Sequence, residues 1–159
     1  MNAAHLHLLL NHAPVIGTVF GILLLAVAVM RRSDELVRVG LGFFALLAVI
    51  TVVVYLTGGA AEELVENLPG ISEALIERHE ESALAATIVL AVFGGAAAVG
   101  LVAFRRKPLP RPVGIVALVL SLISVGFMAW TANLGGQIRH TEIRAGVPTA
   151  DAIRQGEER

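Results

Sequence analysis

Four long apolar runs separated by short polar clusters set the pattern of the chain. The first covers roughly 6–30 and ends at Arg31-Arg32. The second opens on Ser33-Asp34-Glu35, where a hydroxyl can cap a helix and two acids meet the positive end of its dipole. It runs apolar to Thr57 and is expected to stop at Gly58-Gly59. The third is apolar from Ala83 to Phe104 and stops at Arg105-Arg106-Lys107-Pro108. The fourth begins near Pro112, a residue tolerated in a first turn, and runs to Leu134, where Gly135-Gly136 is expected to interrupt it. A hydrocarbon core about 30 Å thick takes about 20 helical residues, and each run is that long. The expected fold is all-α: an integral membrane four-helix bundle over residues 1–145, followed by a polar, disordered tail over 146–159.

The connection between the second and third runs has its own pattern. Pro69-Gly70 predicts a turn, and Ser72 is expected to cap a helix beginning at Glu73. No breaker follows, so this helix continues into the third span and projects beyond the membrane, with roughly 30 residues in all. Glu73, Glu77 and Glu80 share one stripe, which reads as a solvated face. Leu75, His79, Ser82 and Ala86 share the stripe that continues into the bundle. Gly17 and Gly21 form a GxxxG, and Gly94, Gly95 and Gly100 punctuate the third run; in lipid such positions permit close backbone approach.

Composition turns these long runs into membrane spans. Hydrophobic residues make up 56% of the chain and charged residues 16%, against about 25% charged in soluble domains. The mean hydropathy is +0.78. A net charge of -1, with no basic stripe among aromatics, offers nothing to nucleic acid. The lack of cysteine excludes disulfides and thiolate chemistry. No Lys or Arg precedes Arg31 and no small-residue cleavage site follows the first run, so it reads as a retained helix rather than a signal peptide.

Cations set the orientation. Arg31, Arg32, Arg38, Arg105, Arg106, Lys107 and Arg111 crowd the two short connections, whereas the long middle loop holds Arg78 and the N-terminal segment none. The positive-inside rule places both termini outside the cytoplasm. Tyr55 and Trp130 fall at the outer ends of their spans, as an aromatic belt requires. The expected location is the cytoplasmic (inner) membrane, with all histidines on the periplasmic or extracellular side. The apolar cores hold no acid or base, which argues against a transport path. No phosphate-binding loop, dinucleotide fingerprint or serine triad is present.

The remaining polar residues gather at one level. His5, His7 and His12 precede the first apolar core, Glu62 and Glu63 follow the second, His79 precedes the third, and His140 and Glu142 follow the fourth. Two imidazoles on facing helices suit a haem iron, and imidazole with carboxylate suits a transition metal ion. The candidate cofactor ligands are His7, His12, His79 and His140. The candidate metal ligands are Glu62, Glu63, His79, His140 and Glu142. Three functions stay open: a redox subunit carrying b-type haem, a non-haem site for metal handling or hydrolysis, and a cofactor-free structural subunit. Beyond the lipid bilayer, the partners would be a redox protein or further copies of this chain. A faint internal echo accompanies these residues. His7 stands before Arg31, and His79 before Arg105, at similar spacing, and each is followed by an apolar span and a Gly-Gly pair. That pattern predicts two parallel hairpin repeats contributing ligands pseudo-symmetrically.

His7-Leu-Leu-Leu-Asn-His12-Ala-Pro14 resembles the His-Pro-x-x-Val-His-Phe-Pro opening of an uncharacterised bacterial four-helix membrane domain family. A subgroup of predicted membrane proteins is similar at Tyr55-Leu-Thr-Gly58, Leu68-Pro-Gly70, His79-Glu-Glu81 and from Asn133 to Glu142. Leu8 and Ala13 depart from the family's Pro and Phe, and Asn67 stands where close relatives often carry His. Some members are fused to Rieske or cytochrome c domains, so the resemblance implies a four-helix membrane fold and redox work.

Overall fold

The computed structural model describes residues 2–144 and is helical throughout its spans. The tail expected over 146–159 lies outside the described residues. Helices α1 (Ala3–Leu10) and α2 (His12–Met30) form the first span, α3 (Asp34–Leu56) the second, α5 (Glu73–Ala103) the third and α6 (Arg111–Arg139) the fourth. A five-residue helix, α4 (Gly58–Glu62), follows α3. Among the described residues these four spans are long and apolar enough to cross a membrane. The chain is a multi-pass, all-α membrane protein.

Local chemistry explains most of the helix boundaries. Pro14 has no N–H to offer the carbonyl of Leu10, and its ring crowds that carbonyl; α1 accordingly ends at Leu10, and α2 resumes after Asn11. Ser33 Oγ accepts the Leu36 N–H at 3.2 Å and caps α3, with Asp34 and Glu35 in its first turn. Leu68 to Ile71 close a turn through a 3.2 Å backbone bond, with Gly70 at φ +81° as a Pro-Gly type II turn requires. Ser72 stands at the N-cap of α5, but its hydroxyl makes no cap bond. The Leu75 N–H it would have served is already bonded to the Ser72 carbonyl at 3.0 Å.

The four spans close into a ring in which α2 packs on α3 and α6, and α5 packs on α3 and α6. Leu25, Phe44 and Leu90 are sealed at the centre, and the Phe44 and Phe93 rings lie 4.6 Å apart. Gly17 faces Leu47, Gly21 faces Phe44, and Gly94 faces the backbone of α3 at the Phe44 carbonyl. Gly95 and Gly100 have open space beside them, so Gly94 alone of that run serves the packing. The buried hydroxyls of Thr18, Ser121 and Ser124 donate to carbonyls of their own helices, so each is satisfied without water. The outward face is apolar: Phe20, Leu46, Val92 and Leu122 are all exposed.

The two ends of the bundle are tied differently. At the arginine-rich end, Arg38 binds Asp34 at 3.0 Å and donates to the carbonyls of Phe104 and Lys107. Asp34 accepts the Leu109 N–H at 2.9 Å, which fixes the α5–α6 connection to the start of α3. At the histidine end, Arg144 donates to Gln137 and Ile138, the last carbonyls of α6, and to Gly70 in the middle loop. At about 1.5 Å per residue, the 31 residues of α5 exceed the membrane thickness, and their surplus stands above the histidine end.

Candidate functional site at the histidine end

Two of the predicted imidazoles are built into the bundle. His7 Nδ1 lies 2.9 Å from the Val54 carbonyl of α3. His79 Nδ1 lies 3.0 Å from the Thr131 carbonyl of α6. A carbonyl only accepts, so in both rings Nδ1 carries the proton and donates it. In the neutral ring, Nε2 then keeps a free lone pair. Both rings are half-buried, and they lie near enough for a charge on one to be felt by the other.

The two docking sites share a design. A helical side chain leans toward the N-terminus, so residue i+4 shields the carbonyl of residue i. Gly58 is four residues after Val54, and Gly135 is four after Thr131. Both rings dock beside a glycine, but only Gly135 is required to leave its carbonyl open to the ring. A Cβ at Gly135 would meet His79 Cε1 at 2.9 Å, and one at Gly58 would meet His7 Cε1 at 3.7 Å. Beside the second pair, the hydroxyls of Ser82 and Thr131 bond at 2.6 Å. Each hairpin thus has a histidine on its first helix latched to a carbonyl on its second.

The other candidates lie elsewhere. His12 is exposed and bonds its neighbour Asn11 rather than another helix. His140 stands at the C-cap of α6 and its Nδ1 lies 2.8 Å from Glu142, both side chains being exposed. Glu142's own backbone N–H, and then His140, hold its carboxyl below the ordinary range. Glu62 pairs not with a histidine but with Glu80 of α5. A hydrogen bond that protonated Glu62 donates to Glu80, then partial burial and Glu80's charge, push the Glu62 carboxyl above its ordinary value. Glu63 and His5 are exposed. Among the described residues no three His, Asp or Glu side chains are grouped to hold a metal ion. The mixed set of Glu62, Glu63, His79, His140 and Glu142 is therefore not brought together as one cage.

Two surface grooves among the described residues are lined without any histidine. One, of about 210 Å³, lies among Leu41, Phe93, Ala97, Val113 and Ala117 in the arginine-end half. The other, of about 290 Å³, lies between α5 and α6 beside Trp130. Sequence reasoning placed Gly58, Gly135 and Glu80 at this end but not as partners of His7, His79 and Glu62, and it missed Thr131 and Arg144. The glycines carried the one usable signal, since each directly follows its apolar run, one turn beyond the carbonyl that accepts the ring.

No family model matches the chain, and neither a curated protein nor a solved structure matches it.

Proposed function

We propose that this chain is a small membrane redox subunit that holds b-type haem through His7 and His79. The observation that carries the reading is the paired orientation: each ring donates Nδ1–H to a backbone carbonyl and keeps Nε2 for a ligand. Histidines that ligate metals are commonly held this way, because the second-shell acceptor fixes the tautomer and raises the basicity of the ligating nitrogen. Two imidazoles suit a group that brings its other donors with it, as haem does. A bare zinc ion asks the protein for three or four ligands, and no such set is grouped among the described residues. When bound, haem would supply one-electron chemistry. The chain's own contribution would be to hold the haem through Nε2 of His7 and of His79, each ring oriented by its carbonyl, at the end of a bundle of apolar helices. The resemblance to membrane domains fused to redox modules points the same way.

In this reading the membrane is the cytoplasmic one, and the histidine end faces away from the cytoplasm. The cations clustered at the opposite end favour that orientation. The partner would be a soluble redox protein on the outer side or another copy of the chain.

The test is an absorption spectrum of detergent-purified protein, made with haem and metals supplied, oxidised and then reduced, with metal analysis alongside. The reading expects a Soret band with reduced α and β bands. These would be lost in His7→Ala and in His79→Ala and kept in His12→Ala and His140→Ala. Colourless protein carrying stoichiometric metal would move the assignment to a non-haem site. A second reading rests on the same hydrogen bonds: the imidazoles are latches, and the subunit is structural. It expects colourless, metal-free protein whose His7→Ala and His79→Ala forms lose only stability.

A further inference from the structure

We propose that the groove between α5 and α6 at the histidine end binds the headgroup of one phosphatidylethanolamine molecule. Arg78 and Glu81 stand one turn apart on α5 and line the groove together with Ser82, Ala85, Phe127 and Trp130. Both charged residues are exposed, and among the described residues neither forms an ion pair. The wall beyond them is apolar, with Ala85 and Phe127 on the membrane side and Trp130 beside them. The Ser82 hydroxyl is already committed to Thr131. The groove therefore offers a cation and an anion side by side at its polar end, an apolar slot below them, and an opening toward lipid. A phosphate answers a guanidinium through charge-assisted hydrogen bonds. A primary ammonium answers a carboxylate and brings three N–H donors. Ethanolamine phospholipids present both groups on one short headgroup with acyl chains beneath. Choline lacks the N–H donors, and glycerol lacks the second charge. A volume of about 290 Å³ matches a headgroup and the start of its chains rather than a large ligand. Trp130, the single tryptophan of the chain, lines the groove and reports directly on its occupant.

The experiment reconstitutes the full chain into vesicles of phosphatidylcholine containing a fraction of brominated phosphatidylethanolamine, phosphatidylglycerol or phosphatidylcholine, and reads the quenching of Trp130. We expect brominated phosphatidylethanolamine to quench with about a tenfold higher relative affinity than the choline lipid, a difference of about 1.4 kcal/mol. Arg78→Ala and Glu81→Gln should each bring it down to the choline level. Both substitutions are at exposed positions, and Ala85→Leu, which fills the slot with both charges kept, should abolish the preference independently. Equal quenching by all three lipids would overturn the proposal. So would a preference for phosphatidylglycerol that Glu81→Gln leaves untouched, or shielding of Trp130 that grows with protein density because a second copy covers the groove.

Discussion

The two hairpins are built from the same parts and finish them differently. In the first, α3 ends at Leu56, just short of Gly58-Gly59, and the short helix beyond buries nothing. In the second, α6 runs through Gly135-Gly136 to Arg139, because Leu134 and Ile138 are buried on either side of the pair and Arg144 caps the last carbonyls. Gln137 adds an i,i+4 bond to Asn133 across the same stretch. A glycine pair weakens a helix by about 0.5–1 kcal/mol per residue, which buried contacts beyond it can outweigh. What decides the end of the helix is what lies on the far side. The latches differ in the same sense: the His79 ring presses on Gly135, whereas the His7 ring clears Gly58.

The largest effect should come from the seam between the hairpins. A Cβ on Gly94 would stand 2.8 Å from the Phe44 carbonyl, which as backbone cannot swing aside. Gly94→Ala should cost about 1–3 kcal/mol, read as a lower midpoint of thermal unfolding in detergent. Next is the contrast between the latches. Gly135→Ala should displace His79 and forfeit its bond to Thr131, worth about 1 kcal/mol. Gly58→Ala should be neutral or slightly stabilising, since the ring has room and alanine favours helix. Equal losses at the two glycines would break the comparison. Arg144→Ala should release the end of α6, and amide exchange should then quicken between residues 135 and 139 while α3 stays protected.

The smallest effect lies where the hairpins meet through Glu62 and Glu80. The Glu62 carboxyl is raised in the folded state, so its contribution is fully present below the ordinary carboxylate range and lost as pH rises through the raised value. Glu62→Gln should therefore stabilise the protein at neutral pH by about a few tenths of a kcal/mol, given the exposure of the pair, and the gain should vanish in acid.

Much of this was legible in the sequence. Spans announce themselves because lipid demands long apolar helices. Ser33 and Pro69-Gly70 followed from local chemistry, and Gly17 and Gly21 read as packing positions without their partner helix. The extension of α5 followed from the lack of a breaker after Glu73. The histidine layer was visible as a level but not as a pairing. Height along a helix can be counted, whereas rotation about it depends on packing, and that rotation separates His7 from the exposed His12. The fourth span runs past its glycines because Leu134 and Ile138 are buried on either side of them. Arg144, from beyond the span, also caps the last carbonyls, which the pattern of apolar residues does not hold. Arg38 read as a topology signal, and in the fold it also ties three segments together.

The central claim is that His7 and His79 are held as matched Nδ1–H donors with Nε2 left free. Its most direct test is a long-range 1H–15N spectrum of histidine-labelled protein in micelles, prepared without haem or added metal and assigned by His7→Ala and His79→Ala. The account predicts that both rings show the Nδ1–H tautomer with an unprotonated Nε2, unlike the exposed His5, where water favours no such state. Nε2–H tautomers at His7 and His79, or rings averaging freely between forms, would contradict it.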